Sequence, residues 1–265
     1  MTRYPVSISL SSYGAECVRE HGQAGFVDLL ADAGATHIEL REELGLPEDT
    51  AGLVAAIRSR GLHCVYSSPL ELWAGDGLLA VAPLTETLTH AQRCGARWLK
   101  VSLGHYGADY DLAELRAILA GSPVHLLVEN DQTPQGGRID ALQRFFTAAR
   151  PLALPVGMTF DIGNWQWQAQ SVFDAIAQLA PFVEYVHCKG VQLASQGKLV
   201  ATPPTARDLH LWEQVLQRAA PGVLRAIEFP LQGDDLLALT QEHVATLARL
   251  GQPRQANVHE VRRHG

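Results

Sequence analysis

The stretch "ADAGATHIEL", residues 31–40, decides the fold. A helical run ends at Gly34, and a β-rich run with alternating side chains begins two residues later. Glycine just past a helix supplies the left-handed backbone that reverses the chain. The same punctuation returns in "IRSRGLHCVY" (57–66) and "QRCGARWLKV" (92–101), around Gly61 and Gly95. Helix, glycine and strand form a unit, and the unit repeats.

Working outward, the sequence predicts strands at "VSISL" (6–10), "THIEL" (36–40), "LHCVY" (62–66), "RWLKVSL" (97–103), "PVHLLVE" (123–129), "PVGMTFD" (155–161), "VEYVH" (183–187) and "LRAIEF" (224–229). Their starts lie roughly 26 to 41 residues apart, the length of one β-α repeat. The segments between them, such as "FVDLLADA" and "DALQRFFTAAR", carry apolar residues three and four apart, as amphipathic helices do. Eight such units imply an α/β fold, a parallel eight-stranded (β/α)8 TIM barrel, with an open doubly wound sheet as the alternative. The order of elements contains no hairpin. Residues 1–251 are expected to form one barrel domain, and 252–265 a mobile C-terminal tail.

Composition narrows the function. The chain has 265 residues, 47% of them hydrophobic, enough to fill one barrel core. Its formal net charge is -7, and Lys and Arg cluster only in "EVRRHG" at the extreme C-terminus. This argues against nucleic-acid and membrane partners. No apolar run reaches the roughly 18 residues a membrane span needs, and "MTRYPVSISL" is too short in its apolar part for a signal peptide, so a cytoplasmic protein is expected. Cys17, Cys64, Cys94 and Cys188 form no C-x-x-C pair, which leaves them as small core residues or incidental thiols.

In such a barrel, chemistry gathers at the C-terminal strand ends. Glu129 closes the fifth strand, Asp161 the sixth and His187 the seventh, and Glu228 lies at the end of the eighth. Alternation turns all four inward. Three carboxylates at one rim repel one another, and a cation resolves the repulsion. Three oxygen donors and one imidazole suit one divalent metal ion, Mn2+, Mg2+ or Co2+, while Zn2+ is also compatible. An ion so held can polarise a substrate carbonyl and acidify the neighbouring C–H.

At these residues the chain resembles a known family. "LLVEND", "GMTFDIGNW", "EYVHCKG" and "RAIEFP", together with "HIELR" on the second strand, are similar to motifs of the sugar phosphate isomerase/epimerase family, whose barrel is xylose isomerase-like. The resemblance implies that Glu129, Asp161, His187 and Glu228 bind the metal. It also implies that Glu129 and Glu228 are catalytic, an acid/base pair on opposite faces of the substrate. The expected activity is isomerase or epimerase on a keto sugar, sugar acid or sugar phosphate, proceeding through an enediolate. A dehydratase of the same family and a non-catalytic sugar-binding barrel are the alternatives. Family epimerases carry His where this chain has Asn164 and Arg where it has Leu193, and both hold substrate oxygens, so ketohexose 3-epimerisation in its usual form is not expected. A homodimer or tetramer is expected from the family's habit.

Other residues have two readings each. Lys189 either reaches a substrate oxygen or is a solvated rim lysine. Arg41 meets an anionic substrate group or makes a surface salt bridge. Asn164 is a turn residue or a substrate hydrogen-bonder. Glu39 and Lys100, both inward by alternation, are expected to pair with each other as a structural couple, with a substrate role as the alternative. Trp73, Trp165 and Trp167 fall in loops, where indole faces cover a sugar or pack on helices. His105 and Tyr106 follow the fourth strand and are expected to line the mouth. "TPQGG", beside Glu129, reads as a flexible loop.

Overall fold

The computed structural model describes residues 3–46, 49–107, 110–195 and 197–252. The expected mobile tail lies almost wholly outside them. Eight parallel strands close into a barrel: β1 (Val6–Ser9), β2 (His37–Arg41), β3 (His63–Trp73), β4 (Trp98–Gly104), β5 (His125–Glu129), β6 (Val156–Asp161), β7 (Val183–Cys188) and β10 (Leu224–Ile227). β1 closes the ring by pairing with both β2 and β10. Every crossover contains a helix: α1 (Ala15–His21) and α2 (Val27–Asp32) in the first, then α3 (Thr50–Ser59), α4 (Val81–Arg93), α5 (Ala113–Ala120), α6 (Ile139–Ala149), α7 (Val172–Leu179) and α8 (Ala206–Leu216), with α9 (Leu236–Leu247) after β10. The fold is the (β/α)8 barrel expected from the repeat. Gly34, Gly61 and Gly95 take φ of 82°, 70° and 67° after their helices, the left-handed turn that first marked the unit.

Two elements depart from the expectation. The β7-to-α8 connection carries an antiparallel hairpin, β8 (Gly190–Leu193) and β9 (Leu199–Thr202). Its four-residue strands fall inside one β-α unit, outside the helix-strand repeat that marks the barrel strands in the sequence. β3 runs seven residues beyond Tyr66, through Pro69, with a register shift against β4 between Ser67 and Glu71. Proline lacks the ladder N–H, and the shift accommodates it. Near that end, Gly104 has φ 69°, and a Cβ there would meet the Trp73 carbonyl oxygen at 2.3 Å, so only glycine allows the two strands to close.

Outward-facing Ile8, Ile38, Leu99, Val101, Leu126 and Phe160 are fully buried under the helices. Inside the barrel the floor is apolar, built from Val65, Leu127, Tyr185 and Ala226. Above it lies a buried polar layer that includes Ser7, Glu39, Ser67, Lys100 and Thr159. The mouth opens over that layer. Cys64, Cys94 and Cys188 are buried free thiols and Cys17 is half-buried. No described helix is long and apolar enough to cross a membrane.

Candidate metal centre

The strand ends at the mouth are fixed by hydrogen bonds to backbone groups, several of them made by side chains of the site itself. Asp161 Oδ1 accepts the backbone N–H groups of Gly163 and Asn164, each at 2.9 Å, which leaves Oδ2 for the lumen. Asn130, directly after Glu129, ties the ends of β5 and β6 together. Its Nδ2 donates to the Asp161 carbonyl at 2.9 Å, and its Oδ1 accepts the Asp161 N–H at 2.8 Å. Glu228 lies one residue past β10, yet its N–H still donates to the Cys188 carbonyl at 3.1 Å. "VENDQTPQGG" thus places its carboxylate at the end of an apolar strand and uses the next residue to hold the neighbouring strand.

One donor atom from each of Glu129, Asp161, His187 and Glu228 lies within 4.8 Å of all the others. His187 Nδ1 is 2.9 Å from Glu129 Oε1, 3.1 Å from Glu228 Oε2 and 3.8 Å from Asp161 Oδ2. Adjacent ligands of an octahedral ion bound at about 2.1 Å lie about 3 Å apart, close to these spacings. Glu129 Oε1, Asp161 Oδ2 and His187 Nδ1 are buried and meet only through ion-pair contacts with charged neighbours. Carboxylates gathered around one imidazole in the interior repel one another, and a shared cation relieves that repulsion. The residues therefore fit one divalent ion with oxygen and imidazole ligands.

The electrostatics agree. Burial pushes the Asp161 carboxyl up to about 7, with Glu228 and Glu129 adding to the shift and Lys189 opposing it. Burial alone would lower His187, but Glu228, Glu39 and Glu129 raise it well above 6.5. Both shifts point to a centre in which negative charge exceeds what its neighbours neutralise.

Three fixed cations surround the donors, and their pairing differs from the expected one. Lys100 does not pair with Glu39. Its ammonium meets Glu129 Oε2, because the barrel's stagger sets Lys100 beside Leu127, one inward step below Glu129. Glu39 Oε2 is taken instead by Tyr185 Oη at 2.7 Å and His187 Nε2 at 2.8 Å. A carboxylate on Nε2 fixes that nitrogen as the N–H and leaves Nδ1 as the ligand. The requirement of a ligand histidine for an acceptor on its second nitrogen was the signal that could have found Glu39. Arg41 Nη1 lies 3.1 Å from Glu228 Oε1 and 3.2 Å from Glu39 Oε1. Lys189 Nζ lies 2.7 Å from Asp161 Oδ2 and 2.9 Å from Glu228 Oε2, and it is buried rather than solvated at the rim.

The other candidates are spread more widely. Asn164 is buried and works as a latch, donating from Nδ2 to the Asn130 carbonyl at 2.9 Å and accepting from Gln132 at 3.2 Å. Trp165 is 0% exposed and packs on Phe160, with ring centroids 5.4 Å apart, so it has no face to offer a sugar and the expected contact is corrected to a core role. Trp73 ends β3 rather than lying in a loop, buried against Tyr106 and Phe145. Tyr106 is buried with it, and Trp167 is half-buried. His105 is exposed on the turn after β4, and no described contact joins it to the donors. Leu193, where family epimerases carry Arg, is 70% exposed on the hairpin.

No family model and no curated protein matches the chain. Solved structures do. D-psicose 3-epimerase from Clostridium cellulolyticum H10 aligns over 94% of this chain and 100% of its own, with TM-score 0.69 and 12% identity. A xylose isomerase domain containing protein from Salmonella typhimurium LT2 aligns over 95% and 98%, with TM-score 0.67 and 17% identity. A probable 3-DHS dehydratase from Bacillus anthracis aligns over 92% and 98%, with TM-score 0.57 and 15% identity. The fold is that of the xylose isomerase-like, sugar phosphate isomerase/epimerase barrels, at low sequence identity.

Proposed function

We propose that the protein is a divalent-metal-dependent isomerase or epimerase that moves a proton on the carbon next to a carbonyl. The substrate class is a keto sugar, sugar acid or sugar phosphate. The observation that carries this reading is the convergence of four donor atoms, from three carboxylates and one imidazole, within 4.8 Å at the barrel mouth. The epimerases and the dehydratase that share the fold support it. Glu129, Asp161, His187 and Glu228 would hold the ion, which when bound polarises the substrate carbonyl and lowers the pKa of the adjacent C–H.

The remaining chemistry belongs to the chain. Glu129 enters the mouth from β5 and Glu228 from the end of β10, and the β6 and β7 ends lie between them. A substrate held there presents one face to each glutamate. One carboxylate takes the proton, leaving an enediolate, and the other returns it. Return to the same carbon from the opposite face gives an epimer, and return to the adjacent carbon gives the isomer. Against burial, Lys100 and His187 keep Glu129 in its carboxylate form, and His187, Lys189 and Arg41 do the same for Glu228. The buried walls exclude water while the carbanionic species exists. Arg41 and Lys189 beside Glu228 favour a substrate that carries an anionic group.

Exchange of substrate C–H protons in deuterated water, followed by NMR over a panel of ketoses, sugar acids and sugar phosphates, tests the proposal. Exchange at a single carbon is expected with Mn2+, Mg2+ or Co2+, and none after chelation. Exchange that survives complete chelation would remove the metal from the mechanism. Loss of water from the exchanging substrate would shift the reaction to a dehydration.

A further inference from the structure

The three cations of the centre differ in which carboxylate oxygens they hold. Lys100 touches Glu129 Oε2, whereas Glu129 Oε1 faces His187 Nδ1. Arg41 touches Glu228 Oε1, whereas Glu228 Oε2 faces His187 Nδ1. Both therefore sit on the outer oxygen of a donor residue and leave the inner one for an ion. Lys189 is different. Its ammonium lies 2.7 Å from Asp161 Oδ2 and 2.9 Å from Glu228 Oε2, and these are the inner oxygens of both residues.

The lysine reaches that position by a defined path. It occupies the single position between β7 and the β8–β9 hairpin. Its stem lies over Gly163 of the turn after β6, where a Cβ would come within 2.7 Å of Lys189 Cγ and 2.8 Å of Val191 Cγ2. A side chain at 163 would close the path, so the glycine keeps it open. Charge gives the placement a purpose. Glu39, Glu129, Asp161 and Glu228 bring four negative charges under one mouth, and Arg41, Lys100 and Lys189 return three positive ones. A divalent ion added to that set leaves an excess of positive charge. The cation nearest the inner oxygens feels that excess most and is tied to the barrel by a flexible stem.

Resting on the metal-dependent reading above, we propose that Lys189 competes with the divalent ion for Asp161 and Glu228 and surrenders both inner oxygens when the ion binds. The chain thus carries its own cation for these oxygens and exchanges it for the ion. An ammonium displaced in this way stays beside Glu228, where a substrate carboxylate or phosphate is the anion that replaces its lost partners. This is a role for Lys189 in metal loading, separate from its contact with substrate.

Calorimetric titration of Mn2+ into the chelator-treated protein tests the exchange. Lys189→Met should bind Mn2+ more tightly than the wild type, by about tenfold or more, the scale on which groups around metal ligands act. Lys100→Met, which removes a cation from an outer oxygen, should bring no such gain. Equal or weaker Mn2+ binding by Lys189→Met would overturn the exchange and make the lysine a support for ion-bound carboxylates. A second readout needs no variant. Acetylation of Lys189 in the wild-type protein, followed by mass spectrometry, should rise when Mn2+ is added. Unchanged labelling despite measured Mn2+ binding would overturn the exchange alone, whereas a wild-type protein that binds no divalent ion would overturn the metal reading and the exchange with it.

Discussion

The two sides of the barrel mouth do different work. From β5 through β7 to β10, the side chain at or just beyond each strand end is a short reach from the axis, and these positions supply Glu129, Asp161, His187 and Glu228. From β2 to β4 the strands supply no donor. They supply Glu39 and Arg41, which reach past β1 to His187 and Glu228, and Lys100, which meets Glu129 of the adjacent strand. In the proposed function, one side defines which ion and which proton acceptors the centre offers. The other sets their orientation and charge, and the comparison predicts that damage to each side is read by a different measurement.

Glu129→Gln and Glu228→Gln should break the donor side. Each removes a proposed metal ligand and one member of the proposed acid/base pair, and turnover should fall by about 10² to 10⁴ or more, the usual contribution of a positioned proton acceptor. Far-UV circular dichroism should stay unchanged, because each carboxamide keeps the volume of the carboxylate. Near-normal turnover in either variant would move the proton transfer to another residue.

Lys100→Met should break the partner side, and stability is the readout. Lys100 and Glu129 are both buried, so removing the ammonium leaves a carboxylate without its counter-charge. Loss of one member of a buried pair costs about 3 to 5 kcal/mol, measurable by urea unfolding of the chelated protein. Combining Lys100→Met with Glu129→Gln should recover much of that loss. A double variant no more stable than the single one would mean that Lys100 acts through its packed stem, not through Glu129.

Glu39→Gln sharpens the comparison further, because Glu39 sits on the partner side yet acts on a donor. Its carboxylate is 0% exposed and accepts from Tyr185, His187 and Arg41. The amide keeps an acceptor for some of these bonds but no longer fixes the imidazole as strongly. Mn2+ affinity should fall about 10- to 100-fold, with a smaller change in unfolding free energy than for Lys100→Met. An unchanged affinity would show that His187 needs no anchor to present Nδ1.

The same division explains what the sequence made legible. A strand that is apolar for several residues and then ends in one polar side chain announces that side chain, as "HLLVE" and "MTFD" announce Glu129 and Asp161. Nothing local announces a cross-lumen partner. Glu39 and Lys100 share inward parity, and parity alone suggested that they meet. The stagger of the closed barrel instead brings Glu39 to His187, 148 residues away. Asn164 reads as a turn residue or a substrate hydrogen-bonder, whereas its bond to Asn130, and those of Asn130 to Asp161, make the two asparagines a clasp between β5 and β6. Trp165 follows the strand-six aspartate so closely that it read as rim, but the turn folds it back under Phe160. The repeat of helix and strand marks all eight barrel strands, the four-residue β1 and β10 included, whereas the hairpin falls inside one crossover and outside that repeat. The expected third strand ends at Tyr66, whereas β3 continues through Pro69, because the bulge that carries it onward has no sequence mark.

The partner side also carries the pH sensitivity that is simplest to isolate. His37 lies on β2, two residues before Glu39, and is buried at 7% exposure. Its ring faces His63 at 5.1 Å and Trp98 at 5.5 Å between centroids, and Nδ1 is 2.8 Å from Thr36 Oγ1. Burial lowers its pKa from 6.5 to about 4, with His63 and Arg97 adding to the shift. The unfolded chain therefore takes a proton on His37 near pH 6.5 and the folded chain only near 4. Between those values the unfolded state binds more protons, so the His37 contribution is complete above pH 6.5 and is lost as the pH falls. His37→Gln removes the titration and keeps a polar partner for Thr36. Its titration effect at pH 7 is nil, the smallest of the set, and it should emerge only on acidification. Urea unfolding of both proteins between pH 7 and 4 should show the wild type losing stability more steeply than the variant, since all other titrating groups are common to the two. Parallel pH profiles would mean that His37 accepts a proton as readily in the fold as in the chain, and would transfer the acid sensitivity to the donor side of the mouth.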